Sequence, residues 1–259
     1  MMNVNASSYD VDAYNPANYE YKPRMWFLTL IVTAVLIILC IGMGLLGALS
    51  SYVVSANVVA THPLSSEPLK DRSPDNITIV DTEERRAYFM SVAEMTRGFV
   101  IGKHVTLPQA DNGIDGYDEN SRSHLRDVQR VIVDALWVIL AASVVNIVVL
   151  LYALKARKLR GYTRGCLFAG AAVLAFGAVA AMAALLDFSA LFAQFHGIFF
   201  ASGTWTFPVE SLLIQTFPLD FWVRELVIWV GISAFCAVIC LILGLCTRKR
   251  VAKSGFSVN

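Results

Sequence analysis

MWFLTLIVTAVLIILCIGMGLLGAL, Met25 to Leu49, carries no charged side chain and is long enough to cross a hydrocarbon core of about 30 Å as a helix. The competing reading is a cleaved signal peptide, for which Ala48 and Ser50 would supply the small-residue site. The run outlasts an apolar core of about 7–15 residues, so an uncleaved first span is expected. Cys40 follows bulky Leu39 in the middle of the run, which does not suit a lipoprotein signal. The rest of the chain agrees with a membrane setting. Of 259 residues, 56% are hydrophobic and 16% charged, and the mean hydropathy is +0.58, too apolar for a water-soluble domain. A net charge of +1 gives no sign of a nucleic-acid partner or a strongly acidic substrate.

Working outward, Val131–Leu154, Gly165–Leu186 and Trp222–Cys246 are further runs of spanning length. The third span of the chain is rich in Gly and Ala, which lets helices approach closely where packing drives association. The expected fold is an all-α integral membrane protein, a four-transmembrane-helix bundle forming one domain over residues 25–246. Residues 50–130 would be an extracytoplasmic helical region and 187–221 an aromatic interfacial cap. A disordered Asn- and Tyr-rich tail, 1–24, and a basic tail, 247–259, flank the domain. The five cysteines lie in or beside apolar segments, with no disulfide framework and no zinc-type spacing.

Lys and Arg in the short connections set the orientation. KARKLRGYTR, residues 155–164, holds Lys155, Arg157, Lys158, Arg160 and Arg164 without an acid. Lys22 and Arg24 precede the first span, and Arg248, Lys249, Arg250 and Lys253 follow the last. Both termini are therefore expected in the cytoplasm, with the two longer connections outside.

Within 50–130, Asp81 and Glu84 have capping-box spacing, and Tyr88, Val92, Met95 and Phe99 follow on one helical face. The loop DNGIDGYDEN, residues 111–120, has the Asp and Gly content of a calcium loop. Gly113 nevertheless takes a ligand position, and Arg122 stands where a bidentate Glu is needed. A solvated turn is the better reading.

Two segments carry the candidate chemistry. SRSHLRDVQR, residues 121–130, enters the second span, and a helix beginning here is expected to set His124, Asp127, Val131 and Asp134 on one stripe. Asp134 would lie about 15 Å deeper than His124. A carboxylate there is costly unless it faces the bundle interior or a partner, which makes it a candidate functional group. Asp127 with Arg130 reads as a solvated ion pair, although a carboxylate on this face could also orient His124 as a general base. The second segment is QFHGIFFASGTWTFPVESLLIQTFPLDFW, Gln194 to Trp222, whose rings suit headgroup level. His196 within it is either a site residue or a satisfied interior histidine. No nucleophile elbow, phosphate-cradling loop or zinc-protease motif occurs, so hydrolase, nucleotide and metalloprotease readings lack their marks. Two outward-side histidines beside an aromatic, lipid-facing cap suit acid–base work on an acyl lipid.

HLRDV (His124–Val128), FHGIFFASGTWTFP (Phe195–Pro208) and SLLIQTFPLDFW (Ser211–Trp222) together resemble the Lit family of membrane lipoprotein intramolecular transacylases. The match is tightest in the spacing of His196, Trp205, Pro208 and Pro218. The resemblance implies His124 and His196 as catalytic residues, supported by Asp127, Asp134 and Trp205, with Phe195, Phe199, Phe200, Trp205 and Phe207 against substrate. It further implies that an ester-linked acyl chain moves from the middle glycerol carbon of a diacylated lipoprotein to the α-amino group of its cysteine. Membrane lipid is the other partner, no metal or organic cofactor is implied, and the oligomeric state stays open. Ser202, Gly203 and Ser211 stand where the family often has acids, and Gln129 where a Lys commonly follows Asp-Val. Glu210 and Asp220 are the acids nearest in sequence to stand in. The competing class is a non-enzymatic four-helix scaffold, assembly factor or sensor. A solute transporter fits less well, because there is no internal repeat and few buried charges are expected.

Overall fold

In the computed structural model, which describes residues 23–62 and 82–254, the apolar runs are helices longer than the runs themselves. Among the described residues, four helices are long and apolar enough to cross a membrane: α1 (Pro23–Ala48), α4 (Glu119–Lys155), α5 (Leu159–Phe199) and α7 (Leu219–Ser254). Three others, α2 (Ser51–Thr61), α3 (Thr82–Val100) and α6 (Leu212–Thr216), gather at one end of the bundle. The tail over 1–22, Asp81 of the expected capping box, and residues 255–259 lie outside the described residues.

Local chemistry explains where the long helices depart from the hydropathy pattern. The α4 helix begins at Glu119 rather than near Val131, because Asp118 caps it by accepting the Ser121 N–H at 2.8 Å. The polar residues Glu119–Arg130 thus continue the spanning helix outward. Likewise α5 passes through Asp187, whose extended backbone (φ −159°, ψ 95°) kinks it. Asp187 Oδ1 then accepts the Ala190 N–H at 3.0 Å, capping a new helical stretch that runs to Phe199. Residues 187–199 of the expected aromatic cap are therefore helix. In the DNGIDGYDEN loop, Asn112 Oδ1 accepts from the N–H groups of Ile114 and Asp115, an Asx turn.

Helices α1, α5 and α7 form the tight part of the bundle, while α4 lies mainly against α1. Small residues permit the crossings. A Cβ at Gly165 would press on Val32, and one at Gly244 on Leu167. Cys40, Cys166 and Ala237 are buried in these crossings. The Cys40 and Cys240 sulfurs are 3.9 Å apart and the thiols are free. Polar cross-links use groups that would otherwise be unpaired in lipid. Thr29 Oγ1 donates to the Gly161 carbonyl at 3.1 Å, and Trp229 Nε1 to that of Ile41 at 2.9 Å.

The end domain has its own apolar core. Val54 and Val58 of α2, Phe89, Val92 and Ala93 of α3, and Leu212, Leu213 and Phe217 around α6 enclose Tyr117 and Leu125. The expected α3 face packs here: Val92 is buried, and Tyr88, Met95 and Phe99 are partly so. A buried side-chain pair helps to join this domain to the bundle. Asn57 Nδ2 donates to Glu225 Oε1 at 2.8 Å, and both side chains are buried. Glu225→Leu would leave the Asn57 amide unpaired, at a cost of about 1–3 kcal/mol. The expected result is a lower thermal midpoint in detergent, whereas Glu225→Gln, which keeps an acceptor oxygen, stays close to the wild type.

Candidate active site

The capped start of α4 aims one face of its first turns inward, so that Ser121, His124 and Leu125 are buried. The capped outer part of α5 does the same for His196, while Phe195, Ile198 and Phe199 stay exposed on its other side. The two histidine rings meet with centroids 6.3 Å apart and planes 26° from parallel. They come from residues far apart in sequence, and direct packing of α4 on α5 brings them together.

Aromatic rings wall the pair. Phe200 contacts both, at 4.9 Å from His124 and 5.6 Å from His196. Phe207 lies 5.5 Å from His124, and Trp205 lies 5.0 Å from His196. Phe195 packs edge-on to His196 at 5.8 Å and to Trp229 at 6.1 Å. The histidines are closed over by these rings rather than opening on a wide cavity, since His124 is 7% and His196 9% exposed.

The polar atoms are unevenly satisfied. His196 Nδ1 lies 2.9 Å from the Phe192 carbonyl oxygen. A carbonyl only accepts, so Nδ1 carries the proton and the neutral ring keeps its lone pair on Nε2. His124 Nδ1 and Trp205 Nε1 are buried without a hydrogen-bond partner.

The carboxylates read in the sequence sit elsewhere. Asp127 pairs with Arg130 at 2.8 Å on a more exposed part of α4 and makes no hydrogen bond to His124. Asp134 is exposed and lines a cavity of about 270 Å³ with Gln129, Arg130 and Val133, instead of facing the bundle interior. Ten residues at 3.6 per turn swing its direction about 80° away from that of His124. Arg130, one turn earlier, supplies positive charge beside it.

The positions lacking acids have other employment. Gln129 Nε2 donates to the Phe99 carbonyl at 2.6 Å, joining α4 to the end of α3. Ser211 Oγ caps α6 by accepting the Ile214 N–H at 3.4 Å. Gly203, at φ +85°, turns the exposed loop before Trp205. Glu210 and Asp220 are exposed. Phe192 escaped the sequence reading although its ring is 3.9 Å from that of His196 and its carbonyl fixes the tautomer. The signal was present in the spacing Phe188, Phe192, His196, which marks one helical face once the helix is known to continue past Asp187.

Comparison with known proteins follows the same lines. Residues 81–222 match the family model described as lipoprotein intramolecular transacylase Lit. No curated protein sequence matches the chain. Among solved structures, the fold is similar to the membrane integral lipoprotein intramolecular transacylase Lit from Bacillus cereus, solved in meso. That match has a TM-score of 0.67 at 14% identity and covers 91% of this chain and 99% of that one. A form of the Bacillus cereus protein with a histidine-to-arginine substitution matches at TM-score 0.60 and 15% identity, covering 92% and 99%. A histidine-to-alanine form matches at 0.61 and 15%, covering 93% and 100%. At such identities the structures speak for the fold. The family match spans more than half of the chain and includes both buried histidines and every ring around them except Trp229. The protein belongs to the Lit family of lipoprotein intramolecular transacylases.

Proposed function

We propose that the protein moves the ester-linked acyl chain on the middle glycerol carbon of a diacylglyceryl-cysteine lipoprotein to the cysteine α-amino group. The product is the lyso form, with an amide at the N-terminus and a free glycerol hydroxyl. Donor and acceptor belong to one molecule, so the enzyme supplies mainly a folded pose and proton transfers. The observation that carries this reading is the pair of buried imidazoles, 6.3 Å apart in an aromatic chamber, within the family-matched segment.

The substrate amine arrives as an ammonium with three protons, of which the amide keeps one. His124 takes the first, freeing the lone pair that attacks the ester carbonyl. His196 takes the second through Nε2, the atom left unprotonated by the Phe192 contact. As the tetrahedral intermediate collapses, the bond from the carbonyl carbon to the glycerol oxygen breaks with its electron pair. His124 returns its proton to that oxygen, and His196 releases the other to water. One proton is liberated per turnover, and the residues close on charge.

Phe195, Phe199, Phe200, Trp205 and Phe207 form the apolar surround for the acyl chain, and the exposed rings of Phe195 and Phe199 face the lipid from which substrate comes. Asp127 and Asp134 act at most through the field of α4. The basic connection 155–164 and the basic flanks of the first and last spans support an orientation with both termini in the cytoplasm of a bacterium and the histidines at the outer face of its membrane. Mass spectrometry of lipoprotein N-termini, from cells with and without this protein, tests the reading. Lyso-form N-termini are expected only when it is present. An unchanged acylation pattern would favour the scaffold alternative.

A further inference from the structure

We propose that the indole N–H of Trp205 is the oxyanion donor of the acyl transfer, a catalytic contact to the migrating carbonyl. This inference rests on the histidine reading above. Three described tryptophans sit in or beside the packed interior. Trp222 Nε1 donates to the Phe217 carbonyl at 3.1 Å and Trp229 Nε1 to that of Ile41 at 2.9 Å. Trp205 Nε1 is buried and has no partner. A buried N–H without an acceptor costs about 1–3 kcal/mol, and its retention beside a candidate catalytic ring calls for a chemical reason.

The position supplies one. The Trp205 ring lies 5.0 Å from that of His196, with planes 38° apart. An amine held at His196 Nε2 attacks a carbonyl carbon about 3 Å away, and the oxygen of that carbonyl then falls within reach of a ring on the flank of His196. Attack moves the C=O π pair onto this oxygen, and a donor there stabilises the developing charge. Two of the nearby backbone donors are already committed. Phe200 N–H goes to the His196 carbonyl at 2.8 Å, and Thr204 N–H to that of Ala201 at 3.2 Å. The side chain therefore fills a role that backbone N–H groups fill in many acyl-transfer sites. Trp205 is carried by the exposed, non-helical loop 200–210, so displacement of this loop by an entering acyl chain brings Nε1 to the ester without unpacking a helix.

The test is replacement of Trp205 with benzothienylalanine, which keeps the ring shape and puts sulfur in place of N–H. Purified enzyme is assayed on a defined diacylglyceryl lipopeptide. The expected result is a fall in kcat of about 10²–10³-fold with KM within about twofold. A kcat equal to the wild type would reduce Trp205 to packing and overturn the proposal. Ring-fluorinated tryptophans at the same position cover the case in which the sulfur analogue does not fold. They keep the N–H and strengthen it as a donor, so kcat should shift stepwise with fluorination, and an unchanged kcat overturns the proposal equally. His196→Gln in the same assay separates the two levels. Full activity there refutes the histidine mechanism whatever Trp205 does, and a silent wild type refutes the transacylase reading itself.

Discussion

His196→Gln lowers turnover of a defined lipopeptide by about 10²–10⁴-fold, the usual worth of a positioned acid or base, and His124→Ala falls in the same range. The glutamine fills most of the imidazole volume and still offers a donor to the Phe192 carbonyl, but it has no titratable nitrogen to accept the amine proton. The thermal midpoints of both variants should stay near the wild type, so that lost activity is not lost fold. Asp127→Asn is the contrasting case. Its carboxylate is engaged by Arg130 on a more exposed part of α4, and removing it should change turnover by no more than a few fold. An Asp127 variant as inactive as the histidine variants would mean that the carboxylate reaches His124 during the reaction. The proton route also sets a sign with pH. Both rings must begin neutral, so kcat/KM rises as pH increases through their ionisation and falls when acid charges them.

The second large effect is structural and reaches the site through packing. Gly44→Leu should abolish most of the folded yield, because a Cβ at this point of α1 would already press on Ser233 Oγ, the Trp229 indole and the Trp229 carbonyl oxygen. A side chain could shift, but the backbone oxygen belongs to α7 and moves only if the two helices separate. Such overpacking costs on the order of 3 kcal/mol. Separation would also break the Trp229 bond to the Ile41 carbonyl and release the ring that supports Phe195 beside His196. Activity and thermal midpoint in detergent should fall together. Gly197→Ala is the control, since that position lies next to His196 yet faces open space, and near-normal stability is expected there. An unaffected Gly44 variant would show that α1 and α7 do not cross at this point.

Hydropathy made the four spans legible because lipid contact selects apolar side chains whatever the neighbours are. It could not show where each helix ends. Beyond the lipid, α4 and α5 continue through polar and aromatic residues, held by the caps of Asp118 and Asp187. Both are ordinary capping residues, but a run that loses its apolar character reads as a loop. The two histidines and their expected meeting at one site were legible through their motifs, whereas the geometry of the meeting was not, since it depends on how α4 packs on α5. Glu225 escaped notice for a similar reason. Inside an apolar run it looked incidental, and its partner Asn57 lies far away in the chain on α2, a short helix that was not foreseen. The expectation that Asp134 shares a stripe with His124 failed on geometry. Helical spacing close to one stripe over a single turn becomes a different face after three turns.

The central claim is that one lipoprotein molecule supplies both the ester and the amine, and a crossover measurement tests it most directly. Two diacylglyceryl lipopeptides of different sequence are mixed with purified protein, one with a deuterated chain at the middle glycerol carbon. Tandem mass spectrometry then locates the label. The account predicts deuterated amide only on the peptide that carried the deuterated ester, with no change in either total mass. Label on the other peptide or on the protein, or no amide at all, would contradict it.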